Sequence, residues 1–128
     1  MRELDFSDGF ESGTPPTATP TTPTGTSASP QAVTDVGGVP TSGVSDETIY
    51  VSGTGGVTVT ANPQVTAGLV EGQRLTLVGT SDTDWVELSN GTGLQLNGPC
   101  RLTSAAELVL SWNATAAVWR ERGRNGMA

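Results

Sequence analysis

The chain has 128 residues and a formal charge of −7, from thirteen acidic residues against six basic ones. All six are arginine, histidine and lysine are absent, and Cys100 is the one cysteine. Ser-His-Asp and Cys-His catalysis within the chain are excluded, as are a cysteine zinc site and an internal disulfide. An acidic, lysine-free chain is also expected to be a poor nucleic-acid binder, because that affinity rests mainly on cationic contacts to phosphate.

Seventeen glycines and eight prolines exceed the usual combined share of about 12%, and aromatic residues make up only 5%. This composition suits turn-rich β structure joined to irregular chain. No apolar run approaches the roughly 18 residues of a membrane helix. The opening Met1-Arg2-Glu3-Leu4-Asp5 is acidic and lacks the apolar core of a secretory leader. The sequons at Asn90-Gly91-Thr92 and Asn113-Ala114-Thr115 are therefore expected to go unused.

The organisation expected from the sequence has three parts. Residues 1–13, MRELDFSDGFESG, carry Leu4, Phe6 and Phe10, and both phenylalanines of the chain lie here. Leu4 and Phe6 alternate with polar neighbours, as in a short strand. Asp8-Gly9 signals a turn. The segment reads either as a frayed terminus or as a docking peptide that inserts Leu4, Phe6 and Phe10 into a partner. Concentration of both phenylalanines favours docking.

Residues 14–45 form the second part, expected as an extended arm. Pro15, Pro16, Pro20, Pro23 and Pro30 fix φ and remove donors, which gives polyproline-like chain of about 3.1 Å per residue where proline is dense. Val33, Val36, Val39 and Val44 can touch a surface, but Gly37, Gly38 and Pro40 are expected to prevent a regular element.

The third part, residues 46–128, is expected to carry the fold. Apolar residues recur as i, i+2 pairs: Ile49/Val51, Val57/Val59, Leu75/Leu77, Val86/Leu88, Leu94/Leu96 and Leu108/Leu110. Turn signals at Gly53–Gly56, Asn90-Gly91, Asn97-Gly98 and Asn113-Ala114 separate them. Short strands at this spacing predict an all-β meander or sandwich-like module. Its core is expected from Leu75, Leu77, Val86, Leu88, Leu94, Leu96, Leu108, Leu110 and Trp119.

Register follows from keeping apolar residues on one face. An odd loop at Asn90-Gly91 sets Leu88 opposite Leu94 and Val86 opposite Leu96. A three-residue turn at Asn97-Gly98-Pro99 then sets Leu96 opposite Cys100 and Leu94 opposite Leu102. The outer face of this three-stranded meander would carry the row Glu87–Gln95–Arg101. The last hairpin is expected with an even loop after Trp112. That would put Trp119 against Leu108 or Leu110, and Glu107 against Arg120 or Arg122.

For chemistry the sequence offers little. Asp82, Asp84 and Glu87 are the nearest thing to a carboxylate group for glycan hydrolysis. They flank a strand start and read as solvated turn residues. No Asp-x-Asp-x-Asp-Gly calcium loop is present. Gly53-Thr54-Gly55-Gly56 precedes a strand and lacks lysine, so it reads as a turn. No catalytic, cofactor-binding or metal-ligating residue is assigned.

Residues 69–122 resemble a β module of tailed-bacteriophage virion proteins. Gly72-Gln73-Arg74-Leu75-Thr76-Leu77 matches its "G-x-x-L-T-L" strand, and Leu88 to Leu96 approximates a following "L-x-x-G-x-G-L-x-L". Leu108, Leu110, Trp112, Trp119 and Glu121 match a closing "L-x-L-x-W … W-x-E" hairpin. The opening Leu4-Asp5-Phe6-Ser7-Asp8-Gly9-Phe10 also resembles the start of small phage structural proteins. Such modules occur in head fibres, capsid decoration (cement) proteins and tail-fibre tips, commonly as homotrimers. The resemblance implies a non-enzymatic virion protein on the capsid exterior, made in the bacterial host cytoplasm. Its partners would be itself and the major capsid protein or another virion protein, with no cofactor, nucleic acid or membrane. A receptor-binding tail-tip module is the alternative, and the missing coiled coil or repetitive shaft speaks against it.

Overall fold

A computed structural model describes residues 25–42 and 46–126. The docking residues Leu4, Phe6 and Phe10, residues 14–24 of the expected arm and Val44 lie outside these residues. The described chain is all-β, with no α-helix, and hence none long and apolar enough to cross a membrane. Its nine strands are β1 (Gln31–Ala32), β2 (Glu47–Ser52), β3 (Val57–Thr58), β4 (Arg74–Gly79), β5 (Val86–Leu88), β6 (Leu94–Gln95), β7 (Cys100–Leu102), β8 (Glu107–Asn113) and β9 (Val118–Asn125). They form a curled six-stranded sheet in the order β1-β2-β4-β8-β9-β6 and a three-stranded sheet in the order β3-β5-β7.

Period-two alternation builds this architecture. Ile49 and Val51 of β2, Leu75 and Leu77 of β4, and Leu108 and Leu110 of β8 all point to one side and are buried. Val86, Leu88, Cys100 and Leu102 of the smaller sheet join the same core. All nine residues expected in the core are buried. Trp112 and Trp119 face each other across β8–β9 with ring centroids 5.2 Å apart in an edge arrangement. The Trp119 indole Nε1–H donates to the Thr66 carbonyl at 3.0 Å.

Three expectations need correction. The first concerns the meander. β5 pairs directly with β7, setting Val86 opposite Leu102, Glu87 opposite Arg101 and Leu88 opposite Cys100. β6 leaves for the other sheet and runs parallel to β9, so Leu94 and Leu96 do not face Leu88 and Val86. The cause lies in side chains that take the ladder's hydrogen bonds. Buried Gln64 accepts from Ser89 N–H at 2.9 Å and donates to the carbonyls of Ser89 and Gly91, each at 2.8 Å. Asn90 Oδ1 accepts from Leu96 N–H. The reversal itself lies at Thr92-Gly93, with φ of 45° and 88°, as a tight turn between Gly91 and Leu94 requires.

The second correction concerns the last hairpin. Its loop is even, as expected, but only four residues long, because β8 continues to Asn113 and β9 begins at Val118. Trp119 therefore faces Trp112, not Leu108 or Leu110. With Asn113 opposite Val118 an unbroken ladder would set Glu107 against Arg124, and a bulge at Val109/Leu110 adds one residue to β9, so Glu107 meets Asn125 and neither Arg120 nor Arg122.

The third concerns the arm. Residues 25–42 belong to the fold. β1 pairs with β2, Val33 N–H donates to the Ser52 carbonyl, and Val39 N–H donates to the Gln64 carbonyl. Val33 and Val39 are buried in the core, whereas Val36 is exposed. The expected boundary at Asp46 therefore falls inside the packed unit.

Candidate interaction face

The carboxylates weighed for chemistry are each engaged in holding the fold. Asp84 Oδ1 accepts from Gly55 N–H at 2.9 Å and fixes the Gly53–Gly56 turn. Asp82 Oδ1 accepts from Ser104 N–H. Glu87 Oε1 accepts from Arg101 Nη2 at 2.9 Å and from Nε at 3.1 Å. The Arg101 guanidinium lies 3.8 Å over the Trp85 ring, and a side chain at Gly56 would run into that ring. The outer face of the small sheet is thus closed on itself. Gln95, expected between Glu87 and Arg101, sits on the other sheet. Among the described residues no group of His, Cys, Asp and Glu could hold a metal ion.

The Arg120-Glu121-Arg122-Gly123-Arg124 tail divides its charges between two sides of β9. Arg124 Nε donates to Glu121 at 2.7 Å, and its Nη atoms reach the carbonyls of Gly98 and Pro99. Glu121 also accepts from Asn97 N–H. The bond from Arg124 holds the Glu121 carboxyl below its ordinary range. Beside this pair, Cys100 is a core residue whose thiol burial pushes up to about 11, outside the range of a reactive thiolate.

The outer face of the large sheet differs. Residues that alternate with the core residues of β2, β4, β8 and β9 line up across the strands. One row reads Arg74–Ser111–Arg120–Gln95. The next reads Thr48–Thr76–Val109–Gly123, and the third Tyr50–Val78–Glu107–Asn125. Arg74, Arg120 and Gln95 are exposed, while Ser111, Thr76, Val109, Tyr50 and Val118 are half-buried. Among the described residues Arg74, Arg120 and Arg122 have no ion pair. Three arginines of an acidic chain thus lie on or beside one apolar-floored face with no carboxylate partner among the described residues.

Two hollows border it. A polar one of about 550 Å³ lies between Asp46, Glu47, Thr48, Arg74 and Thr76. A second of about 300 Å³ is floored by Tyr50 and Val78 and rimmed by Ser27, Thr80 and Glu107. Ser27 lies two residues from Gly25, where the described chain begins. No local pattern in the sequence signals this face, because its rows join strands far apart in the chain. Leu69 and Val70, in the loop before β4, are a further exposed apolar pair, 70% and 58% accessible.

Comparison of the chain with protein-family models, with curated proteins and with solved structures finds no match.

Proposed function

We propose that the protein is a non-enzymatic structural component of a tailed-phage virion. It decorates and cements the capsid as a trimeric β knob with an N-terminal arm, whose Leu4, Phe6 and Phe10 dock on other virion subunits. The observation that carries this reading is where the resembling residues sit. Leu75 and Leu77 on β4 and Leu108 and Leu110 on β8 lie on adjacent central strands. Trp112 and Trp119 form the facing pair of the closing hairpin. The engagement of Asp82, Asp84 and Glu87 in turns and an ion pair supports a non-enzymatic role. Exposed Leu69 and Val70 offer apolar surface for contact between copies.

Retention on purified heads stripped of the protein tests the reading. Full-length protein should co-sediment with them as a trimer. The Phe6→Ala/Phe10→Ala variant should stay folded and trimeric but be lost from the pellet. Each buried phenylalanine contributes about 1.5–3 kcal/mol, multiplied over many arms by effective concentration. Equal retention of the variant would remove the arm from the account, and failure of the full chain to bind heads would remove the decoration role.

A further inference from the structure

We propose that the outer face of the six-stranded sheet is the receiving surface for residues 1–13 of a neighbouring copy. The occupied face would comprise Arg74, Ser111, Arg120, Arg122 and the half-buried Tyr50 and Val109. The inference rests on reading residues 1–13 as a docking segment, and it names the surface they dock on.

Charge complementarity is the first argument. The face presents three arginines without ion pairs among the described residues, in a chain of charge −7. Residues 1–13 carry Glu3, Asp5, Asp8 and Glu11 against Arg2. Carboxylates interleaved with Leu4, Phe6 and Phe10 match Arg74 and Arg120 beside Val109 and Val118, while Tyr50 lies on the third row, whose charged member is Glu107. A guanidinium meets a carboxylate with paired, charge-assisted hydrogen bonds. The apolar side chains would cover the half-buried floor between the rows. The hollow above Tyr50 and Val78, about 300 Å³, has room for a phenylalanine ring.

The length of chain outside the described residues is the argument for a neighbouring copy as the source of the segment. The described chain begins at Gly25, against Gln31 and Tyr50 at the β1–β2 edge of this sheet. Residues 14–24, with Pro15, Pro16, Pro20 and Pro23, would reach about 34 Å as extended proline-rich chain. Six strands at about 4.8 Å spacing put the sheet's two edge strands only about 24 Å apart. A reach longer than the sheet is wide lets residues 1–13 pass that sheet and lie on the next copy. Arms exchanged in this way would tie knob to knob over the shell.

The test uses a labelled synthetic peptide of residues 1–13. The receiver is the full-length Phe6→Ala/Phe10→Ala protein, whose own segment competes weakly. The expected result is saturable binding that weakens as salt rises and falls at least about tenfold in a receiver also carrying Arg74→Glu and Arg120→Glu. Each receiver's melting temperature shows that it is folded, and Arg74→Gln/Arg120→Gln gives a milder second variant. Unchanged affinity in both arginine variants would overturn the proposed face. A peptide that binds stripped heads but not the protein would overturn the inference and leave the docking role of the arm standing. A peptide that binds neither would overturn both.

Discussion

Two polar rows on the two sheets make opposite use of arginine. On the small sheet, Arg101 is paired with Glu87 at 2.9 Å and stacked on Trp85 at 3.8 Å. On the large sheet, Arg74 and Arg120 flank Ser111 with no carboxylate in ion-pair reach among the described residues. Both rows face outward opposite a buried apolar layer and carry exposed arginines, so folding alone does not explain the difference. A row that satisfies its own charges leaves no cation for a partner. One that leaves them open in an acidic chain keeps them for carboxylates from outside.

The largest effect should separate the two sides of the large sheet. Leu110→Ala removes a fully buried side chain and should cost about 2–5 kcal/mol. Its neighbour Ser111→Ala, on the outer row, should change stability by less than about 0.5 kcal/mol. Similar shifts in denaturant midpoint for the two would mean the faces are wrongly assigned.

An intermediate effect is expected at Glu121. Its folded pKa is depressed by the bond from Arg124, so its stabilisation is present above the ordinary carboxyl value of 4.5. It is lost as pH falls through the lower folded value. Glu121→Gln should cost about 1–2 kcal/mol near pH 7, and the cost should shrink towards zero in strong acid, where the native protein has lost the same contribution. Parallel pH–stability curves for variant and native protein would contradict this.

The smallest effect bears on the comparison itself. Arg101→Ala should lose about 0.5–1 kcal/mol through the stack and an exposed ion pair. Arg74→Ala and Arg120→Ala should leave the melting temperature nearly unchanged. Destabilisation by either of these as large as by Arg101→Ala would show that the open row serves the fold.

Strand identity was legible where period two is strict. Leu75/Leu77, Val86/Leu88 and Leu108/Leu110 announce buried strand faces without reference to anything distant. Pairing was not legible where a distant side chain intervenes. Nothing in Asn62-Pro63-Gln64-Val65 signals that Gln64 takes the backbone groups of Ser89 and Gly91 and so diverts β6 to the other sheet. The segment around Val33 and Val39 reads as linker, since Gly37, Gly38 and Pro40 break every local pattern. Its order comes from Ser52 and Gln64, partners distant in sequence. The open arginine row was hidden for the same reason: Arg74 and Arg120 become neighbours of Ser111 only once β4, β8 and β9 are paired.

Imaging of purified tail-less heads at side-chain resolution tests the central claim most directly. The expected result is this β module as threefold density outside the shell, with a neighbour's Leu4–Phe10 lying across Arg74 and Arg120. Heads bare of the protein, with the same density found at the tail tip instead, would contradict it.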